Sequence, residues 1–257
     1  MNKNQVGMFS LLSTLALSVL LITAGCNPSS SSDPGKPNPG TSLPNMSPNP
    51  AATSLPPITG PIVYVALGDS TGAGVGATDG GYVARLFRRM EPLRPNSELI
   101  NLCVSGATTS DVLRNQLEKG LTRHPNLVTV GIGINDIGHG FSPEQFSRNY
   151  EEILTRLKRG TNARIVVTNI PDISSAPRIP EMLRTEYHRL IVDFNKRLEE
   201  IAARHGVVVF DVHNLTVKEL QVHPEFFSSD GFHPSDDGYE LWAEKMWPTV
   251  AGVIGKD

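Results

Sequence analysis

The chain has 257 residues, of which 39% are hydrophobic and 19% are charged, and its formal net charge is −3. This balance is typical of a globular protein, and the lack of a basic stripe argues against a nucleic-acid partner. The two cysteines cannot form a disulfide framework, and no Cys/His spacing indicates structural zinc. We therefore expect one folded domain with additional segments, and neither a cofactor nor a metal.

Residues 1–26 have the pattern of a targeting segment. Lys3 gives a weakly positive start, positions 8–24 are apolar or small without charge, and small residues then lead to Cys26. This order fits a secretory signal peptide. The small residues before Cys26 also resemble a bacterial lipobox, in which the cysteine is lipidated and becomes the new N-terminus. Thr23 departs from that pattern, which usually has leucine at this place.

The lipobox resemblance implies a membrane-anchored lipoprotein whose folded domain lies outside the cytoplasm. Asn27 follows the cysteine, rather than the aspartate that resembles an inner-membrane retention signal, so we expect the outer membrane or the cell surface. A plain signal peptide, which would release a secreted protein, and an uncleaved anchor are the alternatives. All three place the domain outside the cytoplasm.

Residues 27–60 are rich in proline, serine, asparagine and glycine and contain almost no large apolar side chain. Such a composition cannot bury enough surface to offset the entropy of ordering. We predict a disordered tether that connects the membrane to a folded domain at residues 61–257. A proline-rich recognition site is the alternative for this segment.

From residue 61 onward, strand patterns alternate with helix patterns. The predicted strands cover residues 62–67, 98–104, 126–132, 164–169 and 207–211. The predicted helices cover residues 82–90, 110–120, 142–159, 179–205 and 235–253. This alternation indicates an α/β protein with a parallel sheet covered by helices on both faces. Ligands then bind at the carboxyl ends of the strands.

Polar and small residues form clusters after three predicted strands and before the last helix. The first cluster alone is equally consistent with a helix cap and with a nucleophilic serine. The clusters are Gly68-Asp69-Ser70, Asn101-Leu102-Cys103-Val104-Ser105-Gly106-Ala107-Thr108, Gly133-Ile134-Asn135-Asp136 and Asp230-Gly231-Phe232-His233-Pro234. Each could be a turn by itself, but their order and placement together indicate a functional site.

Together the four clusters resemble the SGNH (GDSL-type) hydrolase family of esterases and lipases. The four residues that give the family its name match Ser70, Gly106, Asn135 and His233. Thr71 stands where many members carry leucine, which alters the pocket wall rather than the chemistry. The resemblance implies a flavodoxin-like, three-layer α/β/α fold with a central five-stranded parallel sheet. It also implies acyl-ester hydrolysis without a metal.

The chemistry of the side chains gives each residue a role. Ser70 needs a base to take its proton, and His233 suits this task because imidazole titrates near neutral pH. Asp230 lies three residues before His233 and can orient the ring and stabilise its charged form. The backbone N–H groups of Ser70 and Gly106 and the amide of Asn135 are the predicted oxyanion hole.

Other residues compete for these roles. His213 lies after the fifth predicted strand and is a rival base, while Asp211 is the reserve choice for the acid. Asp69 and Asp136 are interpreted as loop supports, the commoner role of aspartate beside a turn. Cys103 is interpreted as a small buried apolar residue.

The predicted function is that of a serine esterase acting on small acyl esters, lysophospholipids or acylated glycans. The absence of a long apolar insertion that could form a lid favours short or accessible acyl chains. We also expect the loop 171–180 to shape the pocket and the protein to be a monomer. Acyl transfer, thioester hydrolysis and a non-catalytic tethered envelope lipoprotein remain the alternatives.

Overall fold

The computed structural model describes residues 58–255. The predicted signal peptide at 1–26, with Cys26, and residues 27–57 of the predicted tether lie outside the described residues. Within residues 58–255, no helix combines the length and the apolar character needed to cross a membrane.

In the described residues, five strands form one parallel sheet in the order β2-β1-β3-β4-β5. They are β1 (Val63–Gly68), β2 (Glu98–Asn101), β3 (Leu127–Gly131), β4 (Arg164–Thr168) and β5 (Val208–Phe210). This is the flavodoxin-like order, which confirms the predicted fold. The order reverses between β1 and β3, and the crevice at their carboxyl ends is where such sheets bind ligands.

Helices follow the strands along the described chain. They are α1 (Ser70–Ala73), α2 (Tyr82–Met90), α3 (Thr109–Asp111), a π-helical turn (Val112–Gln116), α4 (Leu117–Leu121), α5 (Ile134–Gly138), α6 (Pro143–Gly160), α7 (Glu181–His205), α8 (Val212–Glu219), a 3-10 turn (Pro224–Phe226) and α9 (Asp236–Ile254).

The central strand β1 shows how the sheet separates two apolar cores. Its side chains alternate between the two faces, as the period of a strand requires. Val65 and Leu67 pack in the core that includes α6 and α7, whereas Tyr64 and Ala66 pack in the core that includes α2 and α9. Because both faces are covered, β1 is apolar at nearly every position.

Most predicted elements have the predicted type, and their ends differ from the predicted ones by at most three residues. The predicted strand 98–104 ends earlier, at Asn101. The Asn101 side chain accepts a hydrogen bond from the Cys103 N–H at 3.1 Å and donates one to the Gly72 carbonyl at 2.8 Å. This local side-chain bond turns the backbone out of the strand. The short helices α5 and α8 were absent from the prediction.

Candidate active site

Ser70 lies at the first turn after the central strand. Asp69 caps the short helix α1, since its carboxylate accepts hydrogen bonds from the Thr71 N–H at 3.0 Å and the Thr71 hydroxyl at 2.8 Å. Ser70 is the first residue of that helix and is 4% exposed. The cap and the candidate nucleophile are therefore two different residues, and Asp69 supports the loop as predicted.

Close packing beneath Ser70 requires glycine at two positions. A Cβ added at Gly68 would lie 2.4 Å from the Gly131 carbonyl oxygen, and one at Gly72 would lie 2.4 Å from the Cys103 sulfur. Burial, with a smaller effect from the Asp69 charge, raises the pKa of the Cys103 thiol well above its usual value. Cys103 therefore stays a neutral packing group, but it is only partly buried and follows the end of β2, whereas the sequence indicated a buried residue.

Three predicted residues form a continuous chain of hydrogen bonds. The His233 Nε2 atom lies 3.0 Å from the Ser70 hydroxyl oxygen, and its Nδ1 atom lies 2.6 Å from the Asp230 carboxylate. The residues come from opposite ends of the domain, since Ser70 follows β1 and His233 precedes α9. Such a chain can move a proton from the serine to the histidine while the carboxylate orients the ring.

Asp230 is held as a carboxylate by its own loop. Burial raises the pKa of this carboxyl group, but hydrogen bonds from the His233 ring, the N–H groups of His233 and Phe232, and the Ser228 hydroxyl outweigh burial. The net result is a pKa well below the usual range. Ser228, whose hydroxyl lies 2.8 Å from Asp230, was not predicted from the sequence. Its only signal was its place two residues before the predicted acid.

The two remaining predicted residues lie on loops that are bonded to each other. Asn135, in α5, donates from its side-chain amide to the Ala107 carbonyl at 2.9 Å, next to Gly106. An amide has two N–H donors, so one of them stays available. Gly106 has a φ of 79°, and a Cβ there would meet no protein atom within 4 Å. Backbone conformation, rather than crowding by the protein, is the reason for glycine at this position.

Asp136 fixes the relative position of the same two loops. Its carboxylate is fully buried and accepts hydrogen bonds from the N–H and the hydroxyl of Thr109. Burial raises the pKa of Asp136, and the bonds from Thr109 oppose that effect. Asp136 thus supports the loop, as predicted, and holds α5 against the start of α3.

The rival residues have other partners. Asp211 caps α8, because it accepts a hydrogen bond from the Asn214 N–H at 3.0 Å, and it also contacts the Asn169 amide at 2.9 Å. His213 lies next to His188, with ring centroids 6.1 Å apart. The histidine that contacts the Ser70 hydroxyl is His233.

An apolar pocket opens beside Ser70 and His233. The cavity itself is small, about 50 Å³, and it opens to solvent. Its walls come from the loop after β4, from α5, from α8, from the segment between α8 and α9, and from α9. They include Ile134, Ile173, Leu215, Phe227, Phe232 and Trp242. The predicted contribution of the loop 171–180 is confirmed by Ile173. Such a pocket suits an apolar group of a ligand whose polar part reaches Ser70.

The fold and this constellation define an α/β protein with the site of a serine hydrolase. The sequence model of the GDSL-like lipase/acylhydrolase family matches residues 66–241. An arylesterase of Vibrio mimicus is 27% identical over 187 residues, which cover 69% of this chain and 82% of that protein. Thioesterase 1/protease 1/lysophospholipase L1 of Escherichia coli K12 is 25% identical over 194 residues, which cover 74% of this chain and 84% of that protein.

A solved structure shows the same fold. The lipase/acylhydrolase from Enterococcus faecalis superimposes with a TM-score of 0.61 at 24% identity, covering 76% of this chain and 99% of the other. The chain belongs to the GDSL-like lipase/acylhydrolase family, and it is an ester-hydrolysing enzyme.

Proposed function

We propose that the protein is a serine esterase that cleaves carboxylic acyl esters through an acyl-enzyme on Ser70. The observation that carries this proposal is the hydrogen-bonded chain from the Ser70 hydroxyl through His233 to Asp230. A serine hydroxyl is a weak nucleophile until a base removes its proton, and Nε2 of His233 lies within reach to do so.

The proposed reaction has two steps. The Ser70 oxygen attacks the acyl carbon while its proton moves to His233, and the alcohol leaves with that proton. Water then loses a proton to His233, attacks the acyl-enzyme and releases the acid, and the proton returns to Ser70. Asp230 stays ionised throughout and stabilises the charged imidazole.

The oxyanion of each tetrahedral intermediate needs preorganised donors. We assign this role to the N–H groups of Ser70 and Gly106 and to the free N–H of the Asn135 amide. Ser70 supports the assignment because the first N–H groups of a helix have no acceptor within the helix. Donors of this kind typically contribute about a hundred- to thousandfold in rate each.

The apolar pocket points to the acyl group as the part of the substrate that it binds. Its lining next to Ser70 consists largely of apolar side chains, which favour a hydrocarbon chain over a sugar or a charged group. Acyl esters with an accessible alkyl chain, lysophospholipids among them, are therefore the proposed substrates. The Escherichia coli relative carries thioesterase in its name, so acyl thioesters are tested beside esters.

The test uses the purified full-length chain on nitrophenyl esters from acetate to long-chain acids and on acyl thioesters. Ser70→Ala and His233→Ala should each lower kcat at least about a thousandfold. When residues act as one unit, the removal of any one of them removes most of the rate enhancement. Ser147→Ala is the matched control, because within residues 58–255 the Ser147 hydroxyl bonds only to the Pro143 carbonyl of its own helix.

A fluorophosphonate probe should label the wild type and the Ser147→Ala control, but not Ser70→Ala. Turnover near the wild-type rate in Ser70→Ala or in His233→Ala would disprove the assigned roles. A wild-type chain that neither turns over any ester nor reacts with the probe would instead support the non-catalytic lipoprotein.

We further propose that lipidated Cys26 anchors the enzyme outside the cytoplasm, at the outer membrane or the cell surface. The proposal rests on the uncharged apolar segment and the small residues that precede Cys26. Cells that express the chain with labelled palmitate should produce a labelled, membrane-bound protein, and Cys26→Ser should abolish the label. A plain signal peptide predicts an unlabelled, released protein in both cases.

A further inference from the structure

Three potential metal ligands from distant parts of the sequence meet behind one wall of the apolar pocket. Asp172 lies on the loop after β4, His188 lies in α7, and His213 is the second residue of α8. Each offers one ligand atom, and these atoms lie within 4.8 Å of one another. Among residues 58–255 they form the single group of three such side chains that is close enough to hold an ion.

One member of this group has an unsatisfied polar atom. The Nε2 atom of His213 is buried and has no hydrogen-bond partner among the described residues. A buried polar atom without a partner is uncommon and costs free energy, so it calls for an explanation such as an ion or a water molecule.

The other two side chains supply the negative charge and a second nitrogen. Asp172 is 6% exposed, and one of its oxygens accepts a hydrogen bond from the Ser174 N–H at 2.8 Å. The second oxygen lies 2.6 Å from Nδ1 of His188, whose side chain is half exposed. A buried carboxylate beside two imidazoles, one of which has an unpaired buried nitrogen, is a setting that can coordinate a cation.

We propose that Asp172, His188 and His213 bind one divalent transition-metal ion of the Zn²⁺ type. Two imidazoles and one carboxylate are ligands that zinc prefers, whereas calcium and magnesium favour sets made of oxygen. Zinc lies about 2.0–2.2 Å from such ligands, so the atoms of a tetrahedral site are about 3.3 Å apart. In this structure His188 Nδ1 lies 2.6 Å from the Asp172 carboxylate, and the three ligand atoms all lie within 4.8 Å of one another. Small side-chain movements would therefore bring them to the tetrahedral spacing.

The surroundings provide both support and access for the ion. The Asp172 N–H donates to the Thr216 hydroxyl at 2.8 Å, and the His213 N–H donates to the Asn169 side chain at 2.8 Å. Both bonds are donated by backbone N–H groups, so they fix the chain segments that carry these two ligands. Asp172 and His188 also line an open surface pocket, which gives an ion an entry path and leaves space for water as a fourth ligand.

The neighbours of the ligands indicate what the ion would do. Ile173 adjoins Asp172, and Val212 adjoins His213, and both neighbours line the apolar pocket beside Ser70. An ion bound at this site therefore ties the loop after β4 to the start of α8 and fixes two walls of that pocket. This role is structural, because none of the three ligands belongs to the Ser70–His233–Asp230 chain, and its test needs no turnover.

The experiment measures metal binding by the purified full-length chain after treatment with EDTA. Calorimetric titration with Zn²⁺ should show one saturable site, and Co²⁺ should give the visible absorption of a tetrahedral complex. His188→Gln and His213→Phe should each weaken Zn²⁺ binding at least about a hundredfold, since changes to outer-shell partners alone already cost roughly 10–100-fold.

His124→Asn is the matched control and should bind Zn²⁺ like the wild type. His124 is exposed and has a φ of 50°, a conformation that asparagine tolerates. Phenylalanine at 213 keeps a ring in contact with His188. If that variant does not fold, the half-exposed position 188 decides the outcome.

No saturable site in the wild type would overturn the proposal. Equal affinity in the wild type and in His188→Gln would overturn it as well, because binding would then occur at a two-residue pair such as His223–Glu225.

Discussion

At the scale of single residues, Asp69 is a buried ionisable side chain that lies directly before Ser70 in the sequence. Burial raises the pKa of Asp69 from 3.8 to about 6, against opposing hydrogen bonds from Thr71. The folded protein therefore holds this proton more tightly than the unfolded chain does. The resulting stabilisation is fully present below about pH 4, and it is lost as the pH rises to about 6.

The variant Asp69→Asn tests this linkage, because the asparagine oxygen still accepts from Thr71 but does not titrate. Between pH 4 and pH 7 the wild type should lose about 2 kcal/mol of unfolding free energy relative to the variant, most of the free energy that corresponds to the shift in pKa. Urea unfolding of both proteins at the two pH values measures this difference. Parallel pH dependences would show that Asp69 does not titrate in this range.

At the scale of elements, the turn between β2 and α3 presents Gly106 with a φ of 79° in open space. In Gly106→Ala the added Cβ disfavours this conformation by about 1–2 kcal/mol, and the turn relaxes. The N–H of residue 106 then leaves its proposed oxyanion position. We expect kcat to fall about a hundredfold or more, as for the loss of one such donor.

Gly206→Ala is the control for this prediction. Gly206 ends α7 with a φ of 60° and also stands in open space, so alanine there should cost a similar amount of stability. Because Gly206 lies at the far end of α7, ester hydrolysis should keep its wild-type rate. Equal losses of rate in both variants, measured beside their melting temperatures, would mean that Gly106 contributes only stability.

The elements also show what could be predicted from the sequence. The helix 82–90 was predicted with both ends correct, because Tyr82, Leu86 and Met90 recur at the period of a helix and all three are buried. Helix α5 was missed, since Gly133 and Gly138 give its short sequence the composition of a turn. Its hydrogen bonds to Ala107 and Thr109 come from another loop, and no local pattern contains such partners.

The site shows the same difference between residues that are close in sequence and residues that only the fold brings together. Asp230 and His233 are three residues apart, so their pairing was predictable from spacing. Asp172, His188 and His213 are up to 41 residues apart in the sequence and form no motif, and they meet only when the loop after β4 packs with α7 and α8. The sequence therefore indicates His213 only as a rival base, and its two partners become visible only in the folded structure.

At the scale of the whole molecule, the apolar pocket joins elements from both sides of the sheet. Ile134 in α5 belongs to one apolar core, Trp242 in α9 belongs to the other, and both line the pocket beside Ser70. The pocket therefore depends on the assembled domain rather than on one loop. Its free space sets the length of acyl chain that reaches the serine in a productive position.

Filling this space should change which esters the enzyme prefers. Leu215 lines the pocket from α8, away from the Ser70–His233–Asp230 chain. In Leu215→Trp, kcat/KM for long-chain esters should fall at least about tenfold. One methylene group in an apolar pocket already changes transition-state binding by about 1–3 kcal/mol, and the indole ring takes up more space than one methylene. The rate on acetate esters should stay within about threefold of the wild type, because a short acyl group needs little of the pocket.

The matched control is Leu183→Trp, since Leu183 is 42% exposed near the start of α7 and does not line the pocket. This variant should keep the wild-type profile of rate against chain length, measured on the same nitrophenyl ester series. A uniform loss on all esters in Leu215→Trp would indicate a disturbed active site. An unchanged profile would place the acyl chain outside this pocket, and the open surface around Gly106 would then be the remaining approach to Ser70.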